Sequence, residues 1–246
     1  MWTFLAILTS VVLFFGVFFR RLFLHFFPNK KPAQDLLIEE DEIEEKNARL
    51  KKGERAKILM LCGEADKKAQ RGEIQEAIKL YIQALAIEDH NPEAQEKLAM
   101  LYLQEQLFSP AAALFESLAK TTSNPIHFSN LGISLFQQGD YDSAKKAYIE
   151  SLKIDGTRPQ RYVSLSHVYR SLGLLYNALI AMNKAIEVQQ GAGENVNTDF
   201  WFLVADLQRE AGLIDAAKAT LEGVLILDEN NETARTMLQE LNSQNN

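Results

Sequence analysis

Four histidines, a single cysteine and a scatter of neighbouring carboxylates are the side chains of this sequence that could do chemistry. A metal site on a helix needs a second ligand about one turn away, because residues three or four apart share a face. His25, His90, His127 and His167 are spread over an apolar N-terminal run, a loop and two helical stretches, and none has a second ligand at that spacing on its own helix. No metal site is expected. Asp140 and Asp142 fall at the start of a helical stretch, where carboxylates offset the partial positive charge of the helix end. They read as caps, not as an acid–base pair. Cys62 has no second cysteine to pair with and lies among apolar residues, so it is expected to pack as a small hydrophobe. No Gly-rich phosphate loop, no His-Glu-x-x-His and no Gly-x-Ser-x-Gly is present. The expectation is a protein that is not an enzyme, with no catalytic residues, no cofactor and no small-molecule substrate.

Net charge narrows the partners further. The formal charge of −7 leaves no broad basic face to displace counterions from phosphates, so nucleic acid is not an expected partner.

The strongest signal is a repeat. Gly72, Gly139, Gly173 and Gly212 each stand five residues before an alanine, namely Ala77, Ala144, Ala178 and Ala217, and Gln106 with Ala111 supplies another copy. Successive copies are 34, 33, 34 and 39 residues apart, and the last excess matches an insertion around Gly193 and Asn197. Glycine closes one helix with a left-handed turn, and alanine lies where the next helix must approach a neighbour closely. Four residues beyond each alanine stand Tyr81, Phe115, Tyr148, Met182 and Leu221, and three further on stand Ala84, Leu118, Ser151, Ala185 and Val224. These are expected packing positions. The copy carrying Gln106, with Ser109 and Pro110 behind it, departs most from the pattern, so an irregular turn is expected there.

Phe128, Leu131, Gly132, Gly139, Tyr141, Ala144, Tyr148 and Leu152 form the fullest copy; Tyr162, Leu165, Tyr169, Gly173 and Ala178, then Trp201, Gly212 and Ala217, repeat it. This pattern resembles the tetratricopeptide repeat family. The resemblance implies an all-α fold, a right-handed superhelix of antiparallel helix pairs, with units at 58–91, 92–124, 125–158, 159–192 and 198–231. A capping helix at 232–242, with the apolar stripe Ala234, Met237, Leu238 and Leu241, would cover the last unit.

In this family the first helices of successive units line a concave groove. On that reading the third unit presents Ser129, Asn130, Ile133, Phe136 and Gln137, the fourth Val163, Ser164, His167 and Arg170, and the fifth Phe202, Leu203, Asp206 and Arg209. The mixture of polar and aromatic groups suits a protein or peptide partner. Some relatives clamp a C-terminal carboxylate with basic and amide groups; only Asn130 fits that clamp, since Gln160 and Ser164 stand where cations would be needed.

The N-terminus calls for a different environment. Trp2 to Phe19 carries no charge, and a helix of that length approaches the roughly 30 Å hydrocarbon thickness of a bilayer. Residues 1–21 are therefore expected to form one transmembrane helix. Trp2, Arg20, Arg21, Lys30 and Lys31 would mark its boundaries, and the basic flank places the N-terminus outside and the repeats in the cytoplasm. Residues 22–57 read as a charged helical connector, in which Glu42 with Lys46 and Glu45 with Arg49 have the helix-supporting spacing. Asn231, Glu232 and Thr233 match a glycosylation acceptor, which that orientation would leave unused. The expected function is a membrane-tethered scaffold or adaptor that assembles protein complexes through its groove. The alternative is a regulatory subunit that controls the activity or turnover of a membrane-associated enzyme.

Overall fold

The computed structural model describes residues 33–193 and 197–243, and every regular element among them is a helix. The chain divides into two units, Met1–Leu59 and Met60–Asn246. Helix α1, Ala33–Gln70, begins in the first and ends in the second, so the expected connector and the first repeat helix are parts of one element. The expected spanning helix at residues 1–21, with Trp2, Arg20, Arg21, Lys30 and Lys31, lies outside the described residues. Among the described residues no helix is long and apolar enough to cross a membrane.

The second unit continues with α2 (Ile74–Leu85), α3 (Pro92–Gln104), α4 (Phe108–Thr122), α5 (Pro125–Gln137), α6 (Tyr141–Ile154), α7 (Pro159–Ser171), α8 (Leu175–Gly191), α9 (Thr198–Glu210), α10 (Ile214–Leu227) and α11 (Glu232–Ser243). From α2 onward each helix packs on the next, and α5 also touches α7. This is an all-helical solenoid, in which each pair leans on its neighbours and no single centre gathers the core.

Two kinds of turn set the helix boundaries. Within a pair, Gly72, Gly139, Gly173 and Gly212 take φ of 72 to 80°, which is cheap only for glycine. The amide after each glycine donates back to a carbonyl in the last turn, as Asp140 does to Leu135 at 3.0 Å and Leu213 to Gln208 at 2.8 Å. That bond satisfies a helix-end carbonyl that would otherwise lack a partner. Here the expectation of an irregular second unit is corrected. Gln106 adopts φ 58°, and Leu107 donates to Tyr102 at 2.7 Å, so the turn is the same one built without glycine. Pro110 stands in the first turn of α4, where no intrahelical bond is needed from its nitrogen.

Between pairs, asparagine and proline do the work. Asn91 and Asn124 accept from the amides of Ala94 and Ile126, and Pro92 and Pro125 follow as first helical residues. Asn197 caps α9 through Asp199, and Asn231 caps α11 through Ala234. The acceptor asparagine of the glycosylation pattern is thus a helix cap.

The repeating alanine, bulky and small positions form the core. Ala77, Ala111, Ala144, Ala178 and Ala217 have no exposed surface, and Tyr81, Phe115, Tyr148, Met182 and Leu221 expose at most 3%. Ser151, the polar member of the small set, is buried with its hydroxyl donating to the Pro125 carbonyl at 2.6 Å. A buried hydroxyl is tolerated when it is paired in this way. Cys62 is buried, and burial, with Glu93 and Asp66 adding to it, raises its thiol pKa.

Candidate partner-binding site

Repeating helices at a 34-residue period bring the first helices of successive pairs side by side, so residues far apart in sequence share one wall. Between α5 and α7 this produces a cleft of about 350 Å³ lined by Ile133, Phe136, Gln137, Tyr148, Ser164 and His167. Five of these were expected groove residues, from two adjacent units.

Tyr148, a packing position of the repeat, also reaches the cleft. It comes from α6, the second helix of the pair, and its ring passes over Gly132 of α5. A Cβ on Gly132 would stand 2.8 Å from the Tyr148 ring. The absence of a side chain there lets the tyrosine reach through the layer to the cleft. It lines the cleft together with Ser164, and burial pushes its pKa up to about 12 although the nearby Ser164 hydroxyl pulls the other way. The signal was present, since glycine inside an otherwise good helix usually marks a close approach. Ser164 in turn donates to the Gln160 carbonyl at 3.0 Å. The Phe136 ring is steadied by Tyr141, with centroids 5.3 Å apart.

The remaining expected residues have other engagements. Asn130 points its amide at the Met100 sulfur, 3.6 Å away, and so links α3 to α5. Arg170 reaches from α7 to α9, where its Nε donates to Glu210 Oε2 at 2.9 Å and its Nη2 pairs with Oε1. That partner lies 40 residues on, beyond the insertion, where no local pattern could reveal it. Asp206 and Arg209 pair with each other at 3.0 Å on one face of α9. Phe202 packs beside the cluster of Ala205, Ala217, Leu221 and Val224. His167 is exposed on the cleft wall, and desolvation there, with the charge of Arg170, lowers its pKa below the ordinary histidine value. The arrangement offers apolar surface and uncharged hydrogen-bonding groups. Among the described residues no group of three His, Cys, Asp or Glu side chains is placed to hold a metal ion.

A tetratricopeptide repeat model matches residues 68–131, and a second model of the same repeat matches 128–158 and 159–191. No curated protein matches the sequence. Among solved structures, a MamA protein aligns with a TM-score of 0.65 at 21% identity, covering 72% of this chain and 94% of that one. MamA from Desulfovibrio magneticus RS-1 aligns at 0.63 and 15% identity, covering 72% and 97%. YrrB, described as a TPR protein with an unusual peptide-binding site, aligns at 0.61 and 15% identity, covering 73% and 90%. At such identities these likenesses speak to the fold alone. The family matches run without a gap from residue 68 to 191, about half of the chain, over the helices that build the cleft, and this protein belongs to the tetratricopeptide repeat family.

Proposed function

We propose that this protein is a non-catalytic adaptor, held at a membrane by residues 2–19, that grips a peptide or helix of a partner protein in the cleft between α5 and α7. The observation that carries the reading is the convergence of Ile133, Phe136, Gln137, Ser164 and His167, from two units, on one cleft. Concave sites with apolar walls and a few oriented polar groups are where peptides find both affinity and register. The peptide-binding site in the description of YrrB supports the same use of the fold. The tether rests on the uncharged run from Trp2 to Phe19, flanked by Arg20 and Arg21 and then Lys30 and Lys31, with the repeats on the cytoplasmic side.

A photo-crosslinking residue at position 137 of the full chain, activated in its own membrane, tests the groove. A discrete adduct that disappears when Ile133→Asp is added supports the reading; an adduct pattern indifferent to that change sinks it. Alkaline extraction tests the tether separately. The full chain should stay in the membrane pellet while a chain beginning at residue 33 is released, and release of both would remove the anchor.

A further inference from the structure

The charges around the cleft point to the class of peptide that it takes, an inference that rests on the groove reading above. The first helices α3, α5, α7 and α9 carry four cations between them: Lys97, Arg161, Arg170 and Arg209. Each is already paired within the protein. Lys97 Nζ lies 3.3 Å from Asp66 Oδ1, and Arg161 Nη1 lies 2.6 Å from Asp155 Oδ2. Arg170 is held by Glu210 and Arg209 by Asp206. A ligand carboxylate would have to compete with Asp66, Asp155, Glu210 or Asp206 for its cation, which reduces what such a contact can contribute.

What the cleft does offer is a space of about 350 Å³ between Ile133, the rings of Phe136 and Tyr148, and the uncharged groups of Gln137 and Ser164. That is room for one large apolar side chain and part of its backbone. Apolar burial is the favourable term available there.

A second observation gives the flank. Glu93 and Glu96 are exposed on α3, two turns and one turn before Met100 respectively. Met100 is in contact with Asn130, the residue three before Ile133 on the cleft wall. Glu93 and Glu96 thus stand on the helix that adjoins α5 through Met100 and Asn130, and Lys97 beside them is held by Asp66. Glu93 makes no ion pair among the described residues, and the contact of Glu96 is the buried His127, 3.6 Å away.

We propose that the cleft anchors an uncharged, apolar side chain of a peptide whose neighbouring basic residues lie over Glu93 and Glu96.

The test uses the full chain in detergent and short fluorescent peptides blocked at both ends. The reference peptide has a central leucine with lysines to one side, prepared in both orders. One control replaces leucine by aspartate, another replaces the lysines by glutamates, and a third removes the leucine and leaves the C-terminal carboxylate free. Protection of a crosslinker at position 137 reports whether binding is in the cleft. The leucine peptide is expected to bind about thirtyfold more tightly than its aspartate control, as one buried apolar side chain would give. In the exposed variant Glu93→Lys, the preference for lysines over glutamates should shrink by about fivefold or reverse, with the fold unchanged by circular dichroism. Equal or tighter cleft binding by the aspartate or free-carboxylate peptide overturns the inference, as does a lysine preference that Glu93→Lys leaves intact. If no peptide protects position 137, the groove reading itself falls with it.

Discussion

Gly132 and Tyr148 are the pair on which the cleft depends. In a helix interior glycine costs about 1 kcal/mol relative to alanine, so its presence in α5 needs a compensating reason, and the Tyr148 ring supplies it. Gly132→Ala is expected to destabilise the protein by about 1–3 kcal/mol in urea denaturation, because the ring is buried between two helices and has nowhere to retreat. The same variant should weaken peptide capture by displacing the tyrosine from the cleft floor. Gln106 presents the opposite case. It occupies the left-handed region that glycine holds in the other turns, so Gln106→Gly is expected to stabilise by about 1 kcal/mol, read as a raised urea midpoint with unchanged slope. Sequence alone placed Gln106 in register with the glycines but not its conformation. The flanking hydrogen bonds of α3 and α4 impose that.

At the scale of elements, the turn between α6 and α7 is locked by charge. Asp155 accepts from the Thr157 amide at 3.0 Å and its hydroxyl at 2.6 Å, while buried Arg161 donates to both its carboxylate and its carbonyl at 2.6 Å. The Thr157 hydrogen bond first, and then Arg161, hold the Asp155 carboxyl far below the usual carboxylate range. A depressed folded-state pKa stabilises the protein above the unfolded value of about 4, and that stabilisation is lost as pH falls below it. Thermal denaturation across pH should therefore show Asp155→Asn less stable than the parent at neutral pH, with the gap closing in strong acid. A gap of constant size would mean that the Asp155 charge is not what matters. Gln95 plays a related part at the turn before α3, where its amide donates to the Asp89 carbonyl at 2.8 Å. Both side chains reach six residues back, a recurrence in space that uses different residue types and so left no common motif.

For the whole molecule, stability is shared along the stack. The last pair is closed by α11, whose Ala234 and Leu241 are buried against Ala217, Leu221 and Val224. Removing residues 232–246 is expected to cost about 3 kcal/mol, the apolar burial of those two side chains, and to promote self-association through the uncovered face. Urea denaturation and light scattering check the two effects. A truncated chain as stable and as monodisperse as the parent would show that α11 does not seal the stack.

The repeat, the helix-closing glycines, the alanine and bulky core positions and the all-helical family fold were determined by the sequence itself, because each is a local or periodic property that recurs at a constant spacing. So was the absence of the usual catalytic motifs. The tertiary structure decided the rest. It joined five of the expected groove residues in one cleft, admitted Tyr148 through the gap at Gly132, and engaged Arg170 of α7 with Glu210 of α9. The physical reason is the same in each case. Which side chains share a wall, and which charges find a partner first, depends on how one helix pair is set against the next, and that is a matter of packing across 30 or 40 residues that no local spacing encodes.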